Sequence, residues 1–248
     1  LVYRVTTAAY ILEPLRTFAP DAKIIFDTVD LHFLREEMAA KTSGAAADLE
    51  NAKATRVQEL AAMQASDATI LLSASEDVLI GKLLPKVRRK LISLVRHIPG
   101  RTRGAEGRQD AIFVGGFLHR PNVDAALYLC KDIWPAVRRL DPAISVHIIG
   151  ADAPEEILQL HNPAQGIHVV GRVPTLDKYY DTARINLAPL TFGAGVKGKV
   201  AASLSVGLPT VGTSVATDGM WLTHEKDVLV ADTPEDFAKN VVKLHQND

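Results

Sequence analysis

Ile185-Asn186-Leu187-Ala188-Pro189-Leu190-Thr191-Phe192-Gly193-Ala194-Gly195-Val196-Lys197-Gly198-Lys199 is the stretch around which the rest of the chain is organised. Its first part, Ile185 to Leu190, is an apolar strand-like run, and a glycine-rich turn with two lysines follows it. A helix-compatible segment, Val196 to Val206, opens out of that turn. Such an arrangement builds an anion site when the free N–H groups of the helix start carry partial positive charge, glycine lets a ligand approach the backbone, and lysine adds a full charge. A phosphate-bearing ligand is one reading of the stretch; an ordinary strand-to-helix turn with two solvated lysines is the other.

The bulk properties limit the possible partners. With 28 Lys+Arg against 29 Asp+Glu in 248 residues, the formal net charge is -1. The chain therefore has no global attraction for nucleic acid, and any anion binding is local. Hydrophobic residues make up 47% and charged residues 23%, ordinary for a globular protein, and the length suffices for two modest domains or one large one. No apolar run approaches the ~18 residues of a membrane span, and the N-terminus lacks the layout of a signal peptide, so a cytoplasmic location is expected. The single cysteine, Cys130, excludes an internal disulfide and sits in the apolar rhythm of a helix face. The chain opens at Leu1 directly into a patterned segment, which suggests a fragment with an upstream segment missing.

Elements alternate along both halves. Val5 to Phe18 has helical apolar spacing, Lys23 to Phe26 reads as a strand, and Asp27-Thr28-Val29-Asp30-Leu31-His32-Phe33-Leu34-Arg35-Glu36 gathers ionisable groups at its end. Open α/β sheets place ligand crevices there. Asp30 and His32 are candidates for that role; the alternative is that Asp30 caps the next helix while His32 and Arg35 lie on its wet side. Phe33 to Ala65 reads as a long helix interrupted at Thr42-Ser43-Gly44, followed by a strand from Ala68 to Leu72, a helix from Ser73 to near Pro85, and a strand from Lys90 to Val95. Residues 101–109 lose all periodicity and read as a linker between a first domain, 1–100, and a second, 110–248.

The second half begins with a strand, Ala111 to Val114, then Gly115-Gly116, and Asn122 as the cap of a helix running to about Leu140. Further strands are expected at Ile144 to Ile149, Ile167 to Val170, Ile185 to Leu190, Pro209 to Thr213 and Asp227 to Val230, with helices at Glu155 to Leu160 and Leu176 to Ala183. Thr233 caps a final amphipathic helix with Pro234 at its first position. Strands that are apolar throughout belong in a parallel sheet covered on both faces. The expected fold is α/β, with two successive Rossmann-like, doubly wound parallel-sheet domains, the first incomplete.

Four ordered segments, Phe113 to Ala125, Val146 to Pro154, Val169 to Val200 and Gly207 to Met220, together resemble the GT-B-fold glycosyltransferases of the group 1, family 4 type. Phe26 to Glu36 and Ala68 to Glu76 look like pieces of that family's acceptor-side domain. The resemblance implies transfer of a sugar from a nucleotide-sugar donor to an acceptor hydroxyl, usually with retention and without a bound metal or other cofactor, in polysaccharide or glycoconjugate synthesis. It places the donor in the C-terminal domain. By position it implies that Gly115 and Gly116 admit the diphosphate or sugar, that Gly193 to Gly195 face it, and that Lys197 or Lys199 stabilises phosphate charge. His119 and Arg120 are further candidates near the phosphates, Arg120 also reading as a solvated side chain. His32 resembles the family's active-site histidine, supported by Asp30 and Arg35.

Two departures from the pattern stand out. Many relatives carry two glutamates on this loop and helix, one near the donor sugar and one near the ribose, where this chain has Ala194 and Ala202. The first domain also lacks the strand, glycine-rich turn and helices that normally open it, which leads to an expectation of an exposed sheet edge or apolar face and hence of self-association. A second reading therefore stands beside the enzyme: a sugar-nucleotide-binding or scaffold domain without catalysis. A third, a GT-B-fold sugar-nucleotide epimerase, needs acidic and basic side chains around the sugar that the sequence does not identify.

Overall fold

The computed structural model describes residues 1–246. Its strands are β1 (Val2–Tyr3), β2 (Ile25–Asp27), β3 (Ala68–Leu71), β4 (Arg89–Leu91), β5 (Gln109–Val114), β6 (Val146–Ile149), β7 (Ile167–Gly171), β8 (Ala183–Ala188), β9 (Thr210–Gly212) and β10 (Leu229–Val230). The α-helices are α1 (Arg4–Phe18), α2 (His32–Ser43), α3 (Ala46–Ala65), α4 (Ala74–Leu83), α5 (Arg120–Tyr128), α6 (Trp134–Leu140), α7 (Glu155–Leu158), α8 (Asp177–Thr182), α9 (Gly198–Ser205), α10 (Ser214–Thr217) and α11 (Pro234–Gln246). Two parallel sheets result, a four-stranded one in the order β1-β2-β3-β4 and a six-stranded one in the order β10-β9-β8-β5-β6-β7. None of the helices among the described residues is long and apolar enough to cross a membrane.

Packing groups the chain into two units. The first comprises Leu1–Val95 together with Phe192–Val196 and Asp218–Met220; the second comprises Arg96–Thr191, Lys197–Thr217 and Trp221–Asp248.

In the first unit, Phe26, Leu31, Phe33, Met63, Leu71 and Ile80 are wholly withdrawn from water and form one core with Val2 and Ala8. Burial of a side chain of this size contributes roughly 1.5–3 kcal/mol. The interrupted helix is two helices, because Gly44 adopts φ 68 at the end of α2, a left-handed conformation in which its N–H closes on the Ala40 carbonyl. Ser73 opens α4 through a full capping box with Glu76. The short β1, which the sequence reading lacks, pairs in parallel with β2 through Val2 and Tyr3. At the other edge the strand expected over Lys90 to Val95 pairs with β3 only from Arg89 to Leu91.

In the second unit the chain runs from β5 outward through β6 to β7, then returns to the other side of β5 for β8, β9 and β10. Crossovers between parallel strands are right-handed, so this reversal puts the two sets of connecting helices on opposite faces, the doubly wound arrangement. Ile112, Phe113, Ile148, Ile185 and Leu187 are buried, as strands covered on both faces require. The helix expected from Asn122 to Leu140 begins earlier, at Arg120, with His119 as its N-cap. It carries a π-helical turn at Leu129–Ile133 that joins α5 to α6. Beyond that turn Trp134 is buried and donates its ring N–H to the Gln165 carbonyl at 2.9 Å. Cys130 is buried inside the turn, and desolvation pushes its thiol up to about 12, so it behaves as a small apolar side chain.

Candidate functional site

The strand order reverses between β5 and β8, which pair directly from Gln109 and Ala183 to Ile112 and Asn186. Connections leaving neighbouring strands in opposite directions open a crevice beyond the strands' carboxyl ends. The segment after β5 is Gly115 to His119; the segment after β8 is Pro189 to Lys197, the glycine-lysine stretch singled out in the sequence.

The turn after β5 is closely packed. Gly115 N–H donates to the Ile149 carbonyl at 2.9 Å and Phe117 N–H to the Ala151 carbonyl at 3.0 Å. A Cβ on Gly150 would lie 1.9 Å from the Gly115 carbonyl oxygen, and a Cβ on Gly115 would lie 2.8 Å from the Asn122 amide carbon. Neither position accepts a side chain without moving backbone or the amide. Asn122 is not the N-cap expected of it: it lies within the first turn of α5, buried, and donates its amide nitrogen to the Gly116 carbonyl at 2.7 Å. Gly116, His119 and Arg120 are exposed. Arg120 bridges Asp124 at 2.6 Å and Glu156 at 3.4 Å, in keeping with its reading as a solvated side chain.

Both lysines are held in unusual surroundings. Lys197 is buried and is the N-cap residue of α9. Lys199, in the first turn of α9, reaches over to α5: its Nζ donates to Asn122 Oδ1 at 2.5 Å and stands 4.6 Å from the centre of the Phe113 ring. Asn122 thus uses its amide as donor to Gly116 and as acceptor from Lys199 at once. Although Lys199 is only half-buried as a residue, its ammonium is desolvated, and this desolvation pulls its pKa from 10.5 down to about 7. A cation held this far from water gains strongly from an arriving anion. Ala202, one turn further along α9, packs with Ile112, Tyr180 and Leu208 in an apolar cluster.

The first unit holds the second set of candidates. The turn after β2 carries Val29 at φ 65, and Asp27 Oδ1 accepts the Val29 N–H at 3.0 Å. His32 is buried at the start of α2 rather than on its wet side, with Nδ1 3.2 Å from the Asp30 carbonyl and 3.4 Å from Asp30 Oδ1. Asp30 does not cap the helix, whose N-cap is Leu31; it pairs with Arg35. Gly195 also belongs to this unit by packing, at φ 69, and a Cβ there would lie 3.0 Å from that of Asp30.

Two carboxylates that the sequence reading does not assign to the site complete this region. Glu59, on α3, accepts the His32 N–H at 3.3 Å and the Phe33 N–H at 3.1 Å. Glu76, on α4, accepts the Leu31 N–H at 3.1 Å while its other oxygen serves the capping box. Both are buried. Desolvation, opposed by the two backbone N–H groups and reinforced by the nearby Asp30 and Glu76, raises Glu59 to about 7. Glu76 is likewise raised, again chiefly by desolvation. The sequence does contain a signal for Glu59: it falls on the buried stripe of α3 set by Ala52, Ala62 and Met63, where a carboxylate needs a partner.

The fold and the crevice define a GT-B-type architecture of two Rossmann-like parallel-sheet units. The family of glycosyl transferases group 1 matches over residues 108–247, more than half of the chain, and the protein belongs to that family. No curated protein matches the chain in sequence. Among solved structures, sucrose-phosphate synthase from Thermosynechococcus elongatus superposes with a TM-score of 0.75 at 13% identity, over 98% of this chain and 63% of its own. A Staphylococcus aureus TarM variant, in a complex that includes UDP, gives 0.73 at 13% identity over 98% and 52%. An alpha,alpha-trehalose-phosphate synthase (UDP-forming) from Burkholderia xenovorans gives 0.70 at 9% identity over 100% and 65%. At these identities the likeness is one of fold, and the chain spans between half and two thirds of the length of these neighbours.

Proposed function

We propose that the chain transfers a sugar from a nucleoside-diphosphate sugar to an acceptor hydroxyl, with the donor diphosphate held in the crevice beyond β5 and β8. The observation that carries this reading is the desolvated Lys199 ammonium, fixed by Asn122 at the switch point of the sheet. As the glycosidic bond breaks, the leaving diphosphate gathers negative charge, and preorganised cations and backbone dipoles lower the energy of that charge most where water is excluded. Lys199 and Lys197 supply cations, and the Gly115-Gly116 turn lets the diphosphate come close to the backbone. In this reading no metal takes part, the anomeric configuration is retained, and His32 with Asp30 faces the sugar or acceptor. Products of polysaccharide or glycoconjugate synthesis are the proposed outcome, and a cytoplasmic setting goes with a nucleotide-sugar donor.

A second reading, binding of a sugar nucleotide without catalysis, is favoured by Ala194 and by the apolar packing of Ala202 where many relatives carry glutamates. Calorimetric titration with a panel of nucleoside diphosphates, followed by donor hydrolysis and transfer assays, separates the two. Binding with turnover supports the enzyme; tight binding with no turnover across the donor panel supports the second reading; no binding of any nucleoside diphosphate rejects both.

A further inference from the structure

We infer that Glu59 is a positioning residue for His32, holding the imidazole in place by capping the first turn of α2 from a different helix. This inference rests on the proposed role of His32 in transfer. The first N–H groups of a helix have no partner within it, and a side chain of the N-cap residue normally supplies one. Leu31, the N-cap of α2, has no side-chain acceptor to offer. The need is met from elsewhere: Glu76 takes the N–H of Leu31, and the two oxygens of Glu59 take those of His32 and Phe33, one each.

The same Glu59 oxygen that accepts the His32 N–H lies 3.9 Å from His32 Nδ1. The backbone and the ring of His32 are thus referred to one carboxylate, which is fully buried on α3. The same ring nitrogen is approached more closely by Asp30, through its carbonyl at 3.2 Å and its carboxylate at 3.4 Å, the carboxylate itself tied to Arg35. The titratable groups facing Glu59 are therefore His32 and Asp30 from the α2 side and Glu76 from α4. A carboxylate buried beside two others is costly unless its hydrogen bonds repay it. An apolar residue on this face of α3 would fill the same space, so the carboxylate is explained by what it holds. Glu59 touches no reacting atom; it acts through the placement of His32.

The test uses Glu59→Leu, which removes both acceptor oxygens, and Glu59→Gln, which retains one. Transfer kinetics and amide hydrogen exchange are measured on the same preparations. In Glu59→Leu, kcat falls about tenfold or more, as for a misplaced active-site group, while donor KM and nucleoside-diphosphate affinity stay at the wild-type level. Glu59→Gln restores a large part of the loss. Exchange at the His32 and Phe33 amides quickens in Glu59→Leu without a change at amides in the middle of α3. A wild-type kcat in Glu59→Leu overturns the inference, as does unchanged protection of the two amides. If Glu59→Leu does not fold, Glu59→Gln decides, because it keeps one acceptor and loses the other: quicker exchange at one of the two amides with a partial fall in kcat supports the inference, and wild-type exchange at both amides or a wild-type kcat overturns it. If the wild-type protein shows no transfer with any donor, the functional reading fails by itself, and the exchange at His32 and Phe33 still decides whether Glu59 holds this turn.

Discussion

Lys199 donates to the side-chain oxygen of Asn122 at 2.5 Å, tying the helix that follows β8 to the helix that follows β5 across the reversal of strand order. The partner is uncharged, so it does not offset the desolvation that draws Lys199 down to about 7. A bond to an amide positions the amine and leaves an arriving anion to stabilise its charged form.

Replacing Lys199 with methionine keeps a flexible apolar stem against Phe113 and removes the charge. Nucleoside-diphosphate affinity is expected to fall by about 1–3 kcal/mol, the range for a charge-assisted hydrogen bond, while stability is unchanged or higher because a buried cation has gone. Calorimetric titration and denaturant unfolding of the same variant check both. Lys197→Ala combined with Lys199→Ala is expected to weaken binding further, and unchanged affinity in the double variant rejects the phosphate assignment.

A lysine lowered from 10.5 to about 7 gives the protein a defined pH signature. Between those values the unfolded chain holds a proton that the native chain lacks, so this group makes stability rise with pH through that window. A bound diphosphate favours the charged ammonium, so binding above neutral pH takes up a proton and affinity declines as pH rises. Calorimetry near pH ~8 in buffers of differing ionisation enthalpy is expected to register uptake approaching one proton in the wild type and much less in Lys199→Met. Equal uptake in both proteins would show that another group is responsible.

Glu59 carries the opposite sign. Its unfolded value is 4.5 and its native value about 7, so between them the native chain holds the extra proton and this group makes stability fall as pH rises. Glu59→Gln is expected to flatten that part of the profile, measured by urea unfolding from acid to neutral pH.

Gly150→Ala tests the floor of the crevice. Its Cβ would stand 1.9 Å from the Gly115 carbonyl, which only a backbone shift relieves. A loss of roughly 1–3 kcal/mol in stability is expected, as for overpacking, together with weaker nucleotide binding as the Gly115 turn moves. Wild-type affinity in a folded variant would remove that turn from the binding site.

Tyr10 and Phe18 stand 84% and 86% exposed on α1. Exposed apolar surface favours association, and the expected self-association is checked by light scattering over a range of concentrations. The double substitution Tyr10→Glu, Phe18→Glu is expected to hold a lower mass where the wild type grows; a constant monomer mass for the wild type rejects the expectation.

The elements that the sequence disclosed are those whose cause is local. Apolar runs such as Ala111 to Phe113 announce a strand covered on both faces, Gly44 announces a helix end because glycine accepts φ 68 at little cost, and Ser73 with Glu76 spells a capping box within four residues. What escaped has causes distant in the chain. Val2 and Tyr3 are a strand only because β2 lies beside them, and Glu59 is meaningful only through amides 26 and 27 residues before it. The sequence offers Asn122 only as a helix cap; the N-cap is His119, and the Asn122 amide goes to Gly116 and Lys199 instead.

The π-helical turn at Leu129–Ile133 holds one residue more than a regular α-helical turn would. One residue of a regular α-helix is about 100° of rotation, and the wide turn takes up that residue, so Trp134 still meets Gln165 while Ala136 and Val137 stay buried. Straightening the turn with all its residues kept would carry α6 about 100° round and expose that face, whereas deleting the exposed Lys131 would close the helix to a regular path with the buried side where it was. The turn is therefore a place where the chain tolerates a change of length by one residue without re-aiming the core.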